Sequence, residues 1–458
     1  MWLMTLTVAL VVMTLLQRFT RAAPLDARAT LALGFLLIVA YAGGEVARLL
    51  KLPRITGVIV AALAVGPAWL GLVRADEILA LQFIGTGAFA LLAFAAGTEL
   101  RFARVRAFRT TVSRVAVGVV VAPFLGVAFV VLTVSPWFPL TAHQPLSDAL
   151  TVALFLGAAA AVSSPVLTAA LVRRREPADS FARDILDITL VQLLLSAVLI
   201  VLLLLLMQAL GTPGAVQPGI TARTAIRFGG SIGAGILLGV AVTQYLAVIR
   251  QQITLVVLAV AAMIALGARL VAIEPTLTAV AAGVTLANVA PAQADRVRGW
   301  FRDGARPLST AGLALLAVAF NVGALREWWP WILLLAGVRL TALRGGLAWA
   351  GRDPRVNGVV AERGWLGFIA QAGFAISLAA LARDAFPEWG ISLESLILAM
   401  IGVHAIAGPV LFDWVLGLTH AGPEEGHGSE TRQDARAGET AEAVGLAGVG
   451  WGDRSGGM

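Results

Sequence analysis

The chain has 458 residues, 59% of them hydrophobic and only 13% charged, with a formal net charge of +7. Globular domains in water carry roughly 25% charged residues, so this chain lacks the polar surface to cover itself, and its lack of cysteine excludes disulfides, zinc–thiolate sites and thiol nucleophiles. Its arginines are spread through short loops between apolar runs rather than gathered on one polar face, which excludes a nucleic-acid footprint.

About fourteen apolar segments follow one another, each near the ~20 residues an α-helix needs to cross hydrocarbon. They fall at 1–16, 29–50, 55–73, 78–98, 111–133, 148–172, 184–210, 226–248, 252–270, 276–290, 305–325, 328–350, 364–384 and 392–417. The first has no basic leader and no small-residue cleavage site after it, and reads as a retained helix. The expected class is an all-α polytopic membrane protein of about 13–14 transmembrane helices. Residues 418–458 turn to Gly, Glu, Ser, Arg and Thr, a composition that predicts a disordered tail.

Alternate loops differ in charge. One set holds Arg48, Lys51 and Arg54, then Arg101, Arg104, Arg106 and Arg109, then Arg173 to Arg175 and Arg183, and continues through Arg296, Arg298, Arg302, Arg352 and Arg355. The other set is sparse in arginine. The richer set belongs in the cytoplasm, which with an even number of spans places both termini inside a cell inner (plasma) membrane.

Segments seven apart share patterns. FALLAFAAGTELR (89–101) echoes LALLAVAFNVGALR (313–326), and GVIVAALAVGP (57–67) echoes TAVAAGVTLANVAP (278–291). An odd offset inverts the second copy in the membrane. The division is therefore an extra N-terminal helix and loop (1–28), a first six-helix repeat (29–210), a linker helix (211–251), a second, inverted repeat (252–417) and the tail. Inverted repeats are a mark of secondary transporters, which alternate access around a site near the membrane midplane.

Such sites form where two helices lose regular hydrogen bonding. The sixth segment contains GAAAAVSSPVLTAAL (157–171), where Pro165 removes a donor and Ser163, Ser164 and Thr168 can satisfy freed carbonyls. The thirteenth contains GFIAQAGFAIS (367–377), with Gln371 and Gly373 mid-span. Ser, Thr, Gly and Pro also pack helices in membranes; the matching positions in the two repeats favour a site. Arg339 stands mid-span in the twelfth segment, a placement that costs roughly 2.5–3.5 kcal/mol on insertion scales and calls for a partner or a wet cavity. Arg344 can snorkel, while Arg269, Glu274 and Glu99 read as interfacial. In the seventh segment Asp184 and Asp187 share a face one turn apart, near Arg183 and the 173–175 run, as an interfacial neutralised pair would. Deeper in it, Thr189, Gln192 and Ser196 form a polar stripe that carries no proton-titrating group.

These stretches, with LPRITGVIVAALAVGPAWLGL, EPTLTAVAAGVTLAN, FPEWG and AIAGPVLFDWVL in the same order, resemble the monovalent cation–proton antiporters of the Kef-type branch of the sodium/hydrogen exchanger superfamily. The resemblance covers residues 29–417. It implies inverted repeats with two crossed, broken helices (the sixth and thirteenth segments) and exchange of protons for Na⁺ or K⁺. It further implies a basic residue on a later helix, matched by Arg339, and admits a homodimer. In the family an aspartate on an adjacent helix carries the proton. An ungapped match puts Gln192 and Leu193 at that carboxylate position, whereas a shifted one brings Asp184 or Asp187 there and shortens the preceding loop. The acid of the family's later motif is replaced by Gln371, Ala372 and Gly373.

The expectation is a cation–proton antiporter in the lipid bilayer, with Ser163, Ser164, Gln192 and Gln371 lining the site and Arg339 supplying positive charge. Asp187 is the first candidate proton carrier and Asp184 the second. The alternative is a transporter-derived protein that no longer couples protons and acts as a uniporter, sensor or scaffold. An enzyme is not expected: His143, His404, His420 and His427 have no metal-ligand spacing, no nucleophile motif stands out, and no cofactor or metal is called for.

Overall fold

The computed structural model describes residues 1–20, 23–67, 69–173, 180–209, 217, 219–248, 252–303, 306–318, 320 and 322–420. The expected tail and part of the expected linker lie outside them. The described residues are helical throughout and contain no strand. In chain order the helices are α1 (Trp2–Thr20), α2 (Leu25–Leu49), α3 (Arg54–Val65), α4 (Ala75–Gly97), α5 (Phe102–Ala107), α6 (Arg109–Thr133), α7 (Leu146–Ala160), α8 (Pro165–Val172) and α9 (Ser180–Ala209). There follow α10 (Ile220–Val248), α11 (Ile253–Leu270), α12 (Pro275–Val289), α13 (Pro291–Asp303), α14 (Arg306–Val318), α15 (Val322–Ala350), α16 (Gly358–Arg363), a 3-10 segment (Gly364–Phe368), α17 (Phe374–Ala385) and α18 (Gly390–His420).

Among the described residues nine spans are long and apolar enough to cross a membrane, counting α7 and α8 as one, and α1, α3, α12 and α14 supply shorter apolar helices. The exposed faces match that reading. On α9, Leu194, Val198, Leu202 and Leu205 are each about half exposed and recur at helical spacing, a greasy stripe that only lipid would solvate. The protein is a multi-pass membrane protein.

The chain forms one unit over Met1–Asp413 and a second over Trp414–Met458. In the larger unit the helices gather into two bundles. A flanking bundle packs α2, α3, α4, α10, α11, α12 and α14 together; a crossing bundle packs α6, α7, α8, α9, α15, α16, the 3-10 segment and α17. The packing is paired in the way an inverted repeat requires. α3 lies on α14 as α12 lies on α4, and α6 lies on its own repeat mate, α15. That last contact is close because both partners lack a side chain: a Cβ on Gly118 would stand 2.5 Å from the Gly346 carbonyl oxygen, and one on Gly346 would stand 2.3 Å from that of Gly118. Small residues letting two backbones touch is how membrane helices gain packing energy without a hydrophobic drive.

The basic "loops" are partly helical. α13 carries Arg296, Arg298 and Arg302 while burying Ala294, Val297 and Phe301 along one stripe, so it lies along the bundle as an amphipathic helix.

Candidate functional site

Both expected breaks occur. α7 ends at Ala160, four residues lie outside regular helix, and α8 begins at Pro165. Ser164 caps α8, its Oγ accepting from the Leu167 N–H at 3.3 Å, and Pro165 occupies the first helical position, where its missing donor costs nothing. In the other copy the 3-10 segment ends at Phe368 and α17 starts at Phe374. Gly373 has φ +49°, and a Cβ there would meet the Phe89 ring at 2.5 Å, so the turn into α17 requires glycine.

The two breaks cross and are stitched together. The Ser164 N–H donates to the Ala370 carbonyl at 2.8 Å, Ser163 Oγ donates to the Phe368 carbonyl at 2.6 Å, and Gln371 Nε2 donates to the carbonyls of Ala159 and Val162 at 2.8 and 3.0 Å. Arg339, projecting from α15 and 0% exposed, fills the remaining acceptors. Its guanidinium donates to the carbonyls of Ala160 (2.8 Å), Val162 (2.9 Å), Phe368 (2.9 Å) and Ile369 (2.8 Å). These are the last carbonyls of two half-helices. Each C-terminus carries about −0.5 charge, so the pair offsets the buried cation almost fully. Arg339 therefore acts as a shared C-cap for both broken helices.

Gln192 and Ser196 of α9 close the other side: Gln192 Nε2 and Ser196 Oγ both donate to the Ala161 carbonyl, at 2.8 and 3.1 Å. Because Gln371 Nε2 is spent on carbonyls, its Oε1 must accept, and it meets His404 Nδ1 at 2.8 Å. That makes Nδ1 of His404 the donor. Gln192 Oε1, a buried acceptor, and His404 Nε2 have no protein hydrogen-bond partner among the described residues.

Of the residues picked out from sequence, Ser163, Ser164, Gln192, Arg339 and Gln371 thus meet at the crossing. Thr168 and Thr189 bond carbonyls of their own helices. Asp187 and Asp184 do not reach it. Asp187, 2% exposed, is gripped by Arg104 from both sides of its carboxylate, at 2.6 and 2.5 Å. It precedes Gln192 by five residues, roughly 7–8 Å along the helix. Asp184 accepts from Asn357 at 3.4 Å. Sequence pointed to Arg183 and the 173–175 run as partners of the pair, and 174 and 175 lie outside the described residues; Asp187 is held by Arg104, from a helix 83 residues earlier. His404 was passed over, since a lone histidine in an apolar run gives no signal of its own.

Above Asp187 opens a vestibule of about 1460 Å³. Among the described residues, Arg48, Arg54, Arg101, Arg104, Arg173, Arg183, Arg298 and Arg302 line it against Glu45, Glu99 and Asp295. All eight arginines come from the loop set richer in positive charge. Asp295 is bonded by Arg101 at 2.9 Å and also by Arg298. Burial, and after it the neighbouring Arg101, Arg104 and Arg302 working against the attraction of Glu99, lowers the pKa of Arg298.

A family profile described as the transmembrane region of sodium/hydrogen exchangers matches residues 32–417. The chain belongs to the sodium/hydrogen exchanger family. It is thus a membrane transporter of cations and protons rather than an enzyme. Its fold is similar to that of the sodium proton antiporter MjNhaP1 from Methanocaldococcus jannaschii at pH 8, with a TM-score of 0.61, 16% identity and coverage of 87% of this chain and 98% of that one. An electron-microscopy structure of the same antiporter gives a TM-score of 0.64 at 15% identity, covering 84% and 95%. No curated protein matches this exchanger-family chain in sequence.

Proposed function

We propose that the protein is a monovalent cation–proton antiporter of the Kef-type branch, exchanging Na⁺ or K⁺ for H⁺ by alternating access at the crossing of the two broken helices. The observation that carries this reading is the crossing itself, where Arg339 caps two half-helices and Ser163, Ser164, Gln192 and Gln371 supply polar groups. Gln192 Oε1, a buried acceptor without a donor, suits a cation or its water. Asp187 is the first proton carrier and Asp184 the second. Repeats over 29–210 and 252–417, both termini in the cytoplasm of a cell with the protein in its plasma membrane, and assembly as a homodimer complete the reading.

One observation favours a second reading, an uncoupled uniporter, sensor or scaffold. The crossing holds no carboxylate: Leu193, 2% exposed, stands where an ungapped match puts the family's aspartate, and the amides of Gln192 and Gln371 carry no titrating proton. Proteoliposomes decide between them. Under an imposed pH gradient, addition of Na⁺, K⁺ or Li⁺ collapses the gradient if the protein is an antiporter. A folded protein that leaves the gradient intact with every cation is not one.

A further inference from the structure

Among the described residues Glu45, Glu77, Asp187 and Asp353 are buried acids, and each has an arginine within 4.0 Å. Glu274 has none. It is 0% exposed, and its carboxylate is held by uncharged donors: the Leu277 N–H at 2.5 Å, Ser377 Oγ at 2.9 Å, and the N–H and hydroxyl of Thr276. Its own N–H donates to Ser231 Oγ at 2.6 Å. An ionised carboxylate enclosed by protein without a counter-ion is costly, and the reading of Glu274 as an interfacial group does not describe it. A helix cap alone does not account for it either, because Ser377 belongs to the other bundle. Glu274 caps α12 of the flanking bundle; Ser377 sits on α17, the second half of a broken helix in the crossing bundle. The bond therefore spans the boundary that any rocking of one bundle on the other must shear.

We propose that Glu274 is a proton-binding residue that latches α17 to α12 and releases it on protonation. Hydrogen bonds to an ionised acceptor are roughly twice as strong as neutral ones, so adding a proton weakens the grip on Ser377. The charged groups on the surrounding helices are Arg227 on α10, one turn from Ser231, Arg269 near the end of α11, Asp76 and Glu77 at the start of α4, and Arg383 and Asp384 on α17; none forms an ion pair with Glu274. The latch as a transport element rests on the antiporter reading, whereas proton binding at Glu274 does not.

Two measurements keep these apart. Infrared difference spectra of the reconstituted protein between acidic and alkaline buffer report protonated carboxyl groups directly. Wild type should show a titrating carboxyl band that Glu274→Gln lacks. Ser377→Ala, which removes one donor to the ionised form, should move its midpoint about one pH unit upward. A band that survives Glu274→Gln, or a midpoint unmoved in Ser377→Ala, overturns the proposal. If the band behaves as expected, the pH profile of cation-driven proton flux should shift upward with it in Ser377→Ala. A flux profile that stays put while the band moves overturns the latch and leaves a proton site without a role in transport. Absence of flux in wild type, with the band titrating, sinks the antiporter reading and not the proton site.

Discussion

Replacing Arg339 by alanine tests what holds the crossing together. Four main-chain carbonyls accept from its guanidinium, but two of them keep another donor: Val162 retains Gln371 Nε2 and Phe368 retains Ser163 Oγ. The carbonyls of Ala160 and Ile369 would be left buried and unpaired. At about 1–3 kcal/mol each that is about 2–6 kcal/mol, with the two half-helix termini also losing their compensating charge. At about 2.1 cal/mol/K of unfolding entropy per residue, a loss of that size lowers the melting temperature of a 458-residue chain by about 2–6 °C. Arg339→Met keeps the volume and isolates the hydrogen bonds, while Arg339→Lys keeps the charge but presents three donors from one point and should fall between. Thermal unfolding followed by tryptophan fluorescence in detergent gives the ranking wild type, lysine, then methionine and alanine. Methionine and alanine variants melting with wild type would refute the shared-cap account, since the freed carbonyls would then have found other partners at no cost.

Two further outcomes follow from ion pairs. If Asp187 carries the proton, Asp187→Asn should abolish pH-dependent exchange in proteoliposomes; unimpaired exchange would remove it from the mechanism and leave Asp184 to be tested. Asp353 lies in the connection between α15 and α16, where Arg355 bonds it at 2.8 Å and Arg114 stands 3.5 Å away. The Arg355 side chain first, then its N–H, holds the Asp353 carboxyl well below the usual carboxylate range. A depressed group contributes stability above its unfolded value, near 3.9, which is lost as pH falls through the folded one. Asp353→Asn should therefore lower the melting temperature equally at pH ~7 and ~5, with the gap closing only in strong acid; a gap that closes between ~7 and ~5 would contradict the pairing.

Much of the fold is legible in one dimension because lipid imposes a simple rule: every span must be long, apolar and internally hydrogen-bonded. The exceptions to that rule were legible too. Pro165 with its flanking serines, and Gln371 with Gly373, mark the two places where a span is interrupted, and the structure interrupts them there. Arg339 announced itself by cost. What it does was hidden, because its partners are carbonyl oxygens of segments 29 to 179 residues away, and every residue type carries one. The same limit hid Arg104 behind Asp187 and Ser377 behind Glu274, 103 residues apart. Charge alone placed Glu274 at a surface; only its packing removed the water. His404 needed Gln371 beside it before it meant anything.

The arginine-lined vestibule has an effect on traffic that needs no moving part. Among the described residues, eight guanidinium groups face three carboxylates in one concave mouth, and with Arg104 also paired to Asp187 the balance stays positive; low-dielectric walls focus such a field. Under the antiporter reading, a cation entering by this mouth climbs a repulsive slope, while anions from the bulk collect there. The slope reaches only about 8 Å at physiological ionic strength and several times farther in dilute buffer. Salt concentration thus sets the height of the approach barrier, and uptake through this mouth should quicken as inert electrolyte is added, whereas release through it is assisted by the same field.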